Sequence, residues 1–267
     1  MGHRRILITG AAGEIGRATM TLLRAQGHAV VGIDRQAAPE LLVADVRDRA
    51  ETQAAVDRAV AQLGGLDVLI NNAGVAVLQD SGLAPTDPTR AMMDVNFFGT
   101  WNVTAAALAP LLASKGRIVN VASMLARVDM PFMAGYAASK RAIAALSDVL
   151  RVEYAERLSL VTVYPGYVKT KLHEAAHREG LSLDGIVPRE PLPRVAESIA
   201  RACTQRGRRD VAVSWSGAGA MLLARFLPQA LDTLVLLRLR RLAQRGKFTQ
   251  AALASSFVQR LTGGGGS

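Results

Sequence analysis

The sequence contains a single cysteine, Cys203, so no disulfide can form within the chain. We therefore expect a reducing compartment, meaning a cytoplasmic location, and no metal site of the structural zinc type. Cys203 itself is expected to be a small buried residue. We expect no secretory signal between Met1 and Gly10, because this segment is too short and turns at once into a predicted strand.

Aromatic residues are also scarce, at 4% of the 267 positions, and basic residues outnumber acidic ones by 32 to 22. The positive charge is concentrated in residues 206–247, which hold nine arginines and lysines but two aspartates. Such a surface suits anionic phospholipid headgroups or nucleic acid, although a solvated helix face has the same composition. With few aromatic side chains for base stacking and no nucleic-acid motif, we expect no nucleic-acid partner.

Long uninterrupted apolar runs are missing as well. The most apolar stretch, Ala218 to Leu237, is broken by two charged residues, a proline and a glutamine, whereas a transmembrane helix needs about 20 mostly apolar residues. The segment from Leu231 to Leu242 combines leucines with three arginines, which is typical of a helix lying on the inner face of an anionic membrane. A subunit interface and a lid over an active site are the alternatives.

What the sequence does contain is an alternation of short apolar runs with segments of helical periodicity. The predicted strands are Arg5–Thr9, Ala29–Ile33, Leu41–Ala44, Leu66–Ile70, Arg117–Ala122, Leu158–Tyr164 and Val211–Ser214. The predicted helices are Gly13–Gln26, Ala50–Leu63, Thr89–Ala113 and Ala134–Arg157. Buried strands separated by helices indicate the α/β class, and right-handed crossovers then give a doubly wound, parallel, seven-stranded sheet, the Rossmann fold.

The predicted domain organisation follows from these elements. Residues 1–214 form a single α/β domain, and residues 215–262 form a helical extension that acts as a lid, an interface or a membrane contact. Residues 263–267 have the composition of an appended glycine–serine linker.

The first predicted strand runs into a glycine-rich turn and then into a helix. Gly10, Gly13 and Gly16 allow the backbone to turn tightly and approach a pyrophosphate, and Glu14 and Ile15 lie at the positive end of the helix dipole. A glycine-rich string also fits an ordinary tight turn, but its position between strand and helix is the one that a dinucleotide site requires.

An acidic residue is expected at the end of the second strand, about 20 residues on, to bind the adenosine ribose. Asp34 lies there, 18 residues after Gly16. Its carboxylate repels a 2′-phosphate, and Glu14 adds negative charge nearby, so we favour NAD over NADP. Arg35 follows directly and could bind that phosphate if its side chain turned inward, which keeps NADP as the alternative.

Tyr136 and Lys140 lie four residues apart in the second long predicted helix and therefore share one face. A nearby ammonium favours the phenolate, so we expect Lys140 to lower the pKa of Tyr136 and make it a usable base. Ser123 ends the fifth predicted strand, at the sheet edge where such folds bind ligands, and its hydroxyl could hold a substrate oxygen. A tyrosine–lysine pair at this spacing is also common on helix surfaces.

The sequence resembles the short-chain dehydrogenase/reductase family from Arg5 to about Val213. The matching pieces occur in the family's order, and seven in register are highly specific although each alone is weak. They are Thr9–Gly16, Asp45-Val46, Asn71-Asn72-Ala73-Gly74, Asn96, Ser123, Tyr136-Ala137-Ala138-Ser139-Lys140, and Pro165-Gly166 with Thr170.

The resemblance implies a role for each matching residue. Tyr136 would be the catalytic acid/base, Lys140 would bind the nicotinamide ribose and lower the pKa of Tyr136, and Ser123 would orient the substrate oxygen. Asn96 would hold a water that relays protons to solvent. The other residues would contact the cofactor: Asp45 and Val46 at the adenine, Asn72, Ala73 and Gly74 along the cleft, and Pro165, Gly166, Val168 and Thr170 beside the nicotinamide and phosphates.

One departure from the family pattern lies in the glycine motif. Family members of this length usually carry glycine where this chain has Glu14, and the spacing of the three glycines resembles the longer branch of the family. The chain length and the Asn-Asn-Ala-Gly segment instead resemble the shorter branch. The departure concerns the surroundings of the adenosine ribose and not the chemistry.

The segments expected to set substrate specificity are apolar. Residues 124–135 are rich in methionine, leucine and phenylalanine, and residues 167–193 are expected to form an apolar lid, which suits a steroid-, retinoid- or lipid-like alcohol or ketone. Packing of these side chains against the sheet is the alternative. An NADPH-dependent carbonyl reductase and a non-catalytic dinucleotide-binding protein are the alternative functions. The resemblance also implies a homodimer or homotetramer that pairs the helices at Thr89–Ala113 and Ala134–Arg157.

Overall fold

The computed structural model describes residues 2–170, 189–205, 207–246 and 252–262. Within these residues the strands are β1 Arg5–Thr9, β2 Ala29–Asp34, β3 Leu41–Val43, β4 Val68–Asn71, β5 Arg117–Val121, β6 Ser159–Tyr164 and β7 Asp210–Ala212. They form one seven-stranded sheet in the order β3-β2-β1-β4-β5-β6-β7, and every neighbouring pair is parallel. The order reverses direction at β1, and the predicted doubly wound Rossmann fold is confirmed.

The described helices cover both faces of the sheet and continue beyond it. They are α1 Glu14–Ala25, α2 Arg49–Leu63, α3 Asp87–Met93, α4 Thr100–Ala113, α5 Ala134–Glu153, α6 Leu192–Thr204, α7 Trp215–Phe226, α8 Pro228–Gln244 and α9 Ser255–Thr262. A π-helical segment, Asp94–Gly99, joins α3 to α4, and a single 3₁₀ turn, Met124–Ala126, follows β5.

Alternation along the strands sends side chains to two cores. Ile6 and Ile8 of β1 pack with α1 and α6 on one face, whereas Leu7 between them packs with α2 and α4 on the other. Both faces are apolar because both are covered by helices, which is why these strands are continuous apolar runs in the sequence. Cys203 lies in the first core as expected, and burial raises the pKa of its thiol to about 12.

Two helical features differ from the sequence prediction. The predicted helix Thr89–Ala113 begins at Asp87. It is not α-helical throughout, because six of its residues form the wider turn of a π-helix. Helix α6 was not predicted, although Val195, Ile199 and Cys203 lie four residues apart and all face the core. This helical spacing of apolar residues is visible in the sequence, although only the short strand β7 was predicted in this region.

The C-terminal extension folds back over the α/β domain. Leu239 and Ala243 of α8 are buried in a cluster that includes Met92 and Phe132, and the rings of Phe132 and Phe257 meet edge to face at 5.5 Å. The apolar stretch that the sequence showed is divided between α7 and α8. No helix in the described parts of the chain is long and apolar enough to cross a membrane.

Candidate active site

The turn between β1 and α1 is built for close approach of another backbone or ligand. Gly10 has a left-handed φ of +65°, and a Cβ there would lie 2.7 Å from the Cα of Ala73. A Cβ on Gly16 would lie 2.2 Å from the carbonyl oxygen of Gly10. Gly13 is the N-cap of α1, and no side chain caps the first N–H groups of the helix. The positive end of the helix dipole therefore faces the cleft. These features fit a dinucleotide pyrophosphate.

Asp34 lies at the carboxyl end of β2 beside this turn. One carboxylate oxygen accepts a hydrogen bond from the backbone N–H of Ala12 at 2.9 Å, and the other accepts from the N–H of Gln36 at 2.9 Å. These two bonds hold the carboxylate over the glycine turn, in the position expected of a ribose-binding group. The neighbouring side chain of Arg35 is exposed.

One end of the cleft contains Asp45 and Val46, which follow β3. The guanidinium of Arg47 donates to the Asp45 carboxylate at 2.6 Å, and this pairing lowers the pKa of Asp45 below its usual range. The carboxylate is thus held in its charged form at the edge of the cleft.

The segment after β4 joins the glycine turn to the rest of the site. The side-chain amide of Asn72 donates to the carbonyl oxygens of Thr9 and Gly10 at 3.0 and 3.1 Å, and the N–H of Ala73 donates to the Thr9 hydroxyl at 3.1 Å. Gly74 follows, and a Cβ there would lie 3.2 Å from the Nζ of Lys140. This segment steadies the sheet edge and forms the floor of the cleft.

Helix α5 places Tyr136 and Lys140 on the same inward face. Both side chains are buried, at 5% and 4% exposure, and the Lys140 Nζ lies 5.8 Å from the centre of the Tyr136 ring. The Nζ donates to the carbonyl oxygen of Val121 at 3.1 Å, which ties α5 to the end of β5. Ser123, two residues further on, hydrogen-bonds to Tyr136. The predicted surface alternative for this pair is therefore excluded by its burial.

The protonation of this group differs from the expectation. Burial raises the pKa of Tyr136 to about 12, although its hydrogen bond with Ser123 favours the phenolate, and burial lowers the pKa of Lys140 to about 8. The predicted lowering of the pKa of Tyr136 is wrong for this structure. Withdrawal from water disfavours both charged forms, and for Tyr136 this cost outweighs the hydrogen bond with Ser123.

Asn96 lies in the π-helical segment, fully buried. Its side-chain oxygen accepts from the N–H of Val75 at 2.8 Å, and its amide donates to the carbonyl of Val75 at 3.0 Å and to the Ser139 hydroxyl at 2.9 Å. The side chain thus joins the segment after β4 to α5, beside Lys140. The expected proton relay through a water at Asn96 stays a prediction.

Two cavities meet at these residues. The larger, of about 1010 Å³, runs from Asp45 and Asp34 past the glycine turn. The smaller, of about 180 Å³, lies over Tyr136 and Ser123. Both are lined by Ile15, Asn72, Gly74 and Thr170. Pro165, Gly166 and Val168 line the smaller cavity. The predicted cofactor and catalytic residues therefore line two adjoining cavities, except Asn96, which lines neither.

The apolar residues expected around the substrate divide into two groups. Met124, Leu125 and Val128 line the smaller cavity. Met130, Phe132 and Met133 pack instead with α8 in the cluster under the C-terminal extension. Most of the predicted lid, residues 171–188, lies outside the described residues.

Sequence reasoning missed the far wall of the smaller cavity. Glu190, Ser214, Gly217 and Ala220 line it, and Glu190 is a buried carboxylate at 5% exposure. A single glutamate between prolines carries no pattern from which this position could be inferred. Within the described residues no cluster of histidine, cysteine and carboxylate side chains could hold a metal ion.

Comparison with known proteins agrees with this geometry. The family model for short chain dehydrogenases matches residues 4–180. The chain belongs to the short-chain dehydrogenase family. A short chain dehydrogenase from Burkholderia cenocepacia, solved in complex with NADP, has the same fold with a TM-score of 0.74 and 27% identity, covering 88% of this chain and 98% of that one. A nicotinamide cofactor is thereby supported for this oxidoreductase.

Two curated relatives extend the comparison. A 3-ketodihydrosphingosine reductase from Bacteroides thetaiotaomicron is 34% identical over 172 residues, which cover 62% of this chain and 64% of that protein. This short-chain dehydrogenase therefore aligns with less than two thirds of that reductase. The oxidoreductase UcpA of Escherichia coli is 36% identical over 211 residues, covering 72% of this chain and 79% of UcpA.

Proposed function

We propose that this protein transfers a hydride between a nicotinamide cofactor and a hydrophobic secondary alcohol or ketone, with Tyr136 as the acid/base. The observation that carries the proposal is the position of Ser123, Tyr136 and Lys140 on one wall of an apolar cavity that continues into a dinucleotide-sized cleft. A non-catalytic dinucleotide-binding protein has no use for a phenol beside a serine hydroxyl in the smaller cavity.

When bound, the cofactor supplies or accepts the hydride. The Ser123 hydroxyl holds the substrate oxygen, and Tyr136 moves a proton at that oxygen. With a pKa of about 12, the Tyr136 phenol is protonated at neutral pH and ready to donate to a developing alkoxide, which favours ketone reduction. Lys140, whose pKa is about 8, remains mostly charged at pH 7 and stabilises the phenolate left behind. In alcohol oxidation the same groups act in reverse.

The cofactor would be held by the residues that line the cleft. The pyrophosphate fits the turn at Gly10, Gly13 and Gly16 with the first N–H groups of α1, at Glu14 and Ile15. The remaining contacts fall to Asp34 at the adenosine ribose, to Asp45 and Val46 at the adenine, to Asn72, Ala73 and Gly74 along the floor, to Lys140 at the nicotinamide ribose, and to Pro165, Gly166, Val168 and Thr170 near the nicotinamide. We favour NAD, because two backbone hydrogen bonds hold the Asp34 carboxylate beside the glycine turn, where its charge would repel a 2′-phosphate. NADPH-dependent carbonyl reduction through Arg35 is the second candidate, favoured by the NADP complex of the Burkholderia relative.

The substrate class follows from the smaller cavity. Its walls are mostly apolar, with Met124, Leu125, Val128 and Ala220 around the polar group at Tyr136. Such walls select a lipid-, steroid- or retinoid-like molecule by burial of apolar surface. The similarity to a 3-ketodihydrosphingosine reductase supports a lipid-like ketone in particular.

The test is a panel of long-chain, steroid and retinoid ketones and alcohols with NAD(H) and NADP(H), followed by absorbance of the reduced nicotinamide. We expect turnover of a bulky apolar substrate that falls by about 10²–10⁴ in Tyr136→Phe, because the phenyl ring has no proton to transfer. Tyr154→Phe, at the end of α5 and outside both cavities, is the matched control and should keep its activity. Equal turnover in Tyr136→Phe and the wild-type protein would remove Tyr136 from the mechanism.

The helical extension, residues 215–262, is proposed as a peripheral contact to the inner face of an anionic membrane. On α7, Trp215, Leu222 and Phe226 are exposed and lie on one face, whereas Gly217 and Ala220 on the opposite face line the substrate cavity. Helix α8 also exposes leucines, and it adds exposed arginines to this apolar surface. An extension that docks on lipid and walls the cavity would bring a lipid substrate close to Tyr136.

Self-association is proposed through α4 and α5. Trp101 on α4 and Val149 and Val152 on α5 are exposed, with Val152 at 80%, which is unusual for large apolar side chains on a solvated helix. A homodimer or homotetramer would cover them. Light scattering after gel filtration should give a mass of two or four chains, and a monomer at micromolar concentration would contradict the proposal.

A further inference from the structure

Glu190 is a buried carboxylate that holds the loop after β6. One oxygen accepts a hydrogen bond from the backbone N–H of Gly166 at 2.7 Å, and the other accepts from the Ser214 hydroxyl at 2.7 Å. Its own N–H donates to the carbonyl of Tyr167 at 2.7 Å, beside a parallel bridge between Tyr167 and Arg189. Glu190 therefore belongs to the wall of the smaller cavity that lies opposite the reacting groups.

The bond to Gly166 fixes one peptide group at both of its edges. The N–H of the Pro165–Gly166 peptide donates to Glu190, and its carbonyl oxygen accepts from the N–H of Met124 at 2.8 Å. An acceptor on the N–H side polarises the peptide and strengthens the bond on its carbonyl side. Because Met124 follows Ser123, the carboxylate acts through this peptide on the backbone that carries the Ser123 hydroxyl.

The bond to Ser214 reaches the opposite wall. The Ser214 oxygen accepts from the N–H of Gly217 at 3.2 Å and so caps α7 while its hydroxyl proton is given to Glu190. The first turns of α7 contribute Gly217 and Ala220 to the cavity. One carboxylate thus sets the distance between the Ser123 backbone and the α7 wall.

The glycine at position 166 makes this arrangement possible. A Cβ there would lie 3.0 Å from the carboxyl carbon of Glu190 and 3.1 Å from one of its oxygens, so the carboxylate packs directly on the Gly166 backbone. The loop that Glu190 holds then continues to Thr170, which lines both cavities.

We infer that Glu190 is a positioning residue for the reaction. It fixes the Pro165–Gly166 peptide and the cap of α7, and so keeps Ser123 and the cavity wall formed by α7 in fixed relative positions. The inference rests on the proposed function. Glutamine at this position can keep both connections, since its carbonyl oxygen can accept from the N–H of Gly166 and its amide can donate to the Ser214 oxygen. Alanine leaves both donors unpaired.

The test compares Glu190→Ala, Glu190→Gln and Ser147→Ala. Ser147 is fully buried on α5 and hydrogen-bonded to Ile143 and Asn120, away from both cavities, so its variant reports a loss of stability alone. We expect Glu190→Ala to lower kcat by about 30-fold and weaken NADH binding in a fluorescence titration by about tenfold. Glu190→Gln should stay within about threefold of the wild type in both measurements, and Ser147→Ala should lower Tm without changing either.

Three results would overturn the inference. Wild-type kcat and NADH affinity in Glu190→Ala would limit Glu190 to folding, as would changes no larger than those in Ser147→Ala. A loss in Glu190→Gln equal to that in Glu190→Ala would mean that the charge, and not the geometry, matters. If the wild-type protein turns over no alcohol or ketone, the proposed function is wrong whatever the role of Glu190. In that case NADH binding alone tests the inference, and an unchanged NADH affinity in Glu190→Ala would overturn it.

Discussion

At the residue scale, the proposed preference for NAD depends on the single carboxylate of Asp34. Its two oxygens are held by the N–H groups of Ala12 and Gln36, so the charge cannot swing away from an incoming 2′-phosphate. Arg35 is exposed beside it, and its charge acts on the carboxylate of Asp45. We propose that the balance between Asp34 and Arg35 sets the preference between NAD and NADP.

We predict that Asp34→Ala shifts the ratio of kcat/KM for NADP to that for NAD upward by at least about tenfold, because removal of the fixed charge removes the repulsion of the phosphate. The measurement is steady-state kinetics with both cofactors at one ionic strength. Asp57→Ala, an exposed carboxylate on α2, is the control and should leave the ratio unchanged. A wild-type preference for NADP would contradict the assignment before any variant is made.

At the scale of elements, α7 has two faces with different surroundings. Its inner face closes the substrate cavity through Gly217 and Ala220, and its outer face exposes Trp215 at 93%, with Leu222 and Phe226 on the same side. Large apolar side chains on the outer face of a cavity wall need a partner of their own. The basic residues of α8 make an anionic lipid surface the proposed partner.

We predict that the wild-type protein co-sediments with vesicles containing phosphatidylserine and that the triple variant Trp215→Ser, Leu222→Ser, Phe226→Ser does so about tenfold more weakly, because it loses the apolar insertion. Leu83→Ser, in an exposed loop at 66% exposure, is the matched control. Binding that survives in the triple variant but is lost at high salt would assign the contact to the arginines alone. No sedimentation of the wild type would exclude the membrane.

The π-helical segment is the element whose effect on the site was hardest to foresee. A regular helix from Thr89 to Ala113 was expected, and the chain instead widens at Asp94–Gly99, where Asn96 turns inward to bond Val75 and Ser139. Helical periodicity predicts that a helix is present, but the local switch in hydrogen-bonding depends on contacts with β4 and α5.

At the scale of the whole molecule, burying Lys140 makes folding depend on pH. Its pKa is about 8 in the folded protein, against the ordinary pKa of 10.5 for an exposed lysine. The unfolded chain therefore binds more protons between these values, so stability rises as the pH increases from about 8 to 10.5. Tyr136 acts in the opposite direction at higher pH, since its pKa of about 12 lies above the usual 10.0.

We predict that the free energy of unfolding of the wild type, relative to Lys140→Met, increases by up to about 3 kcal/mol between about pH 7 and pH 10. The measurement is urea unfolding of both proteins across this range, and the difference isolates Lys140 from the other groups that titrate there. Lys115→Met removes an exposed lysine and is the control. The free energy of unfolding of the wild type relative to this variant should not change over the same pH range. A flat difference would mean that burial does not lower the pKa of Lys140 in the folded protein.

The fold and most of the site could be predicted because each depends on local pattern. Buried strands between glycine turns and helices indicated the sheet, and ordered motifs at Gly10, Asp34, Ser123, Tyr136 and Lys140 indicated the site. The parts that escaped prediction depend on contacts distant in sequence. Glu190 reaches Gly166 and Ser214 across 24 residues in each direction, and no period or motif records such a contact.

The sequence by itself determined the seven strands, the helices α1, α2, α4 and α5, and which motif residues meet at the carboxyl edge of the sheet, since parallel strands place their ends together whatever surrounds them. Only the tertiary structure decided the protonation of Tyr136 and Lys140, the bonds of Asp34 and the wall formed by α7. Those depend on how much water each group loses and on which distant atoms replace it, and exclusion of water is a property of the packed molecule.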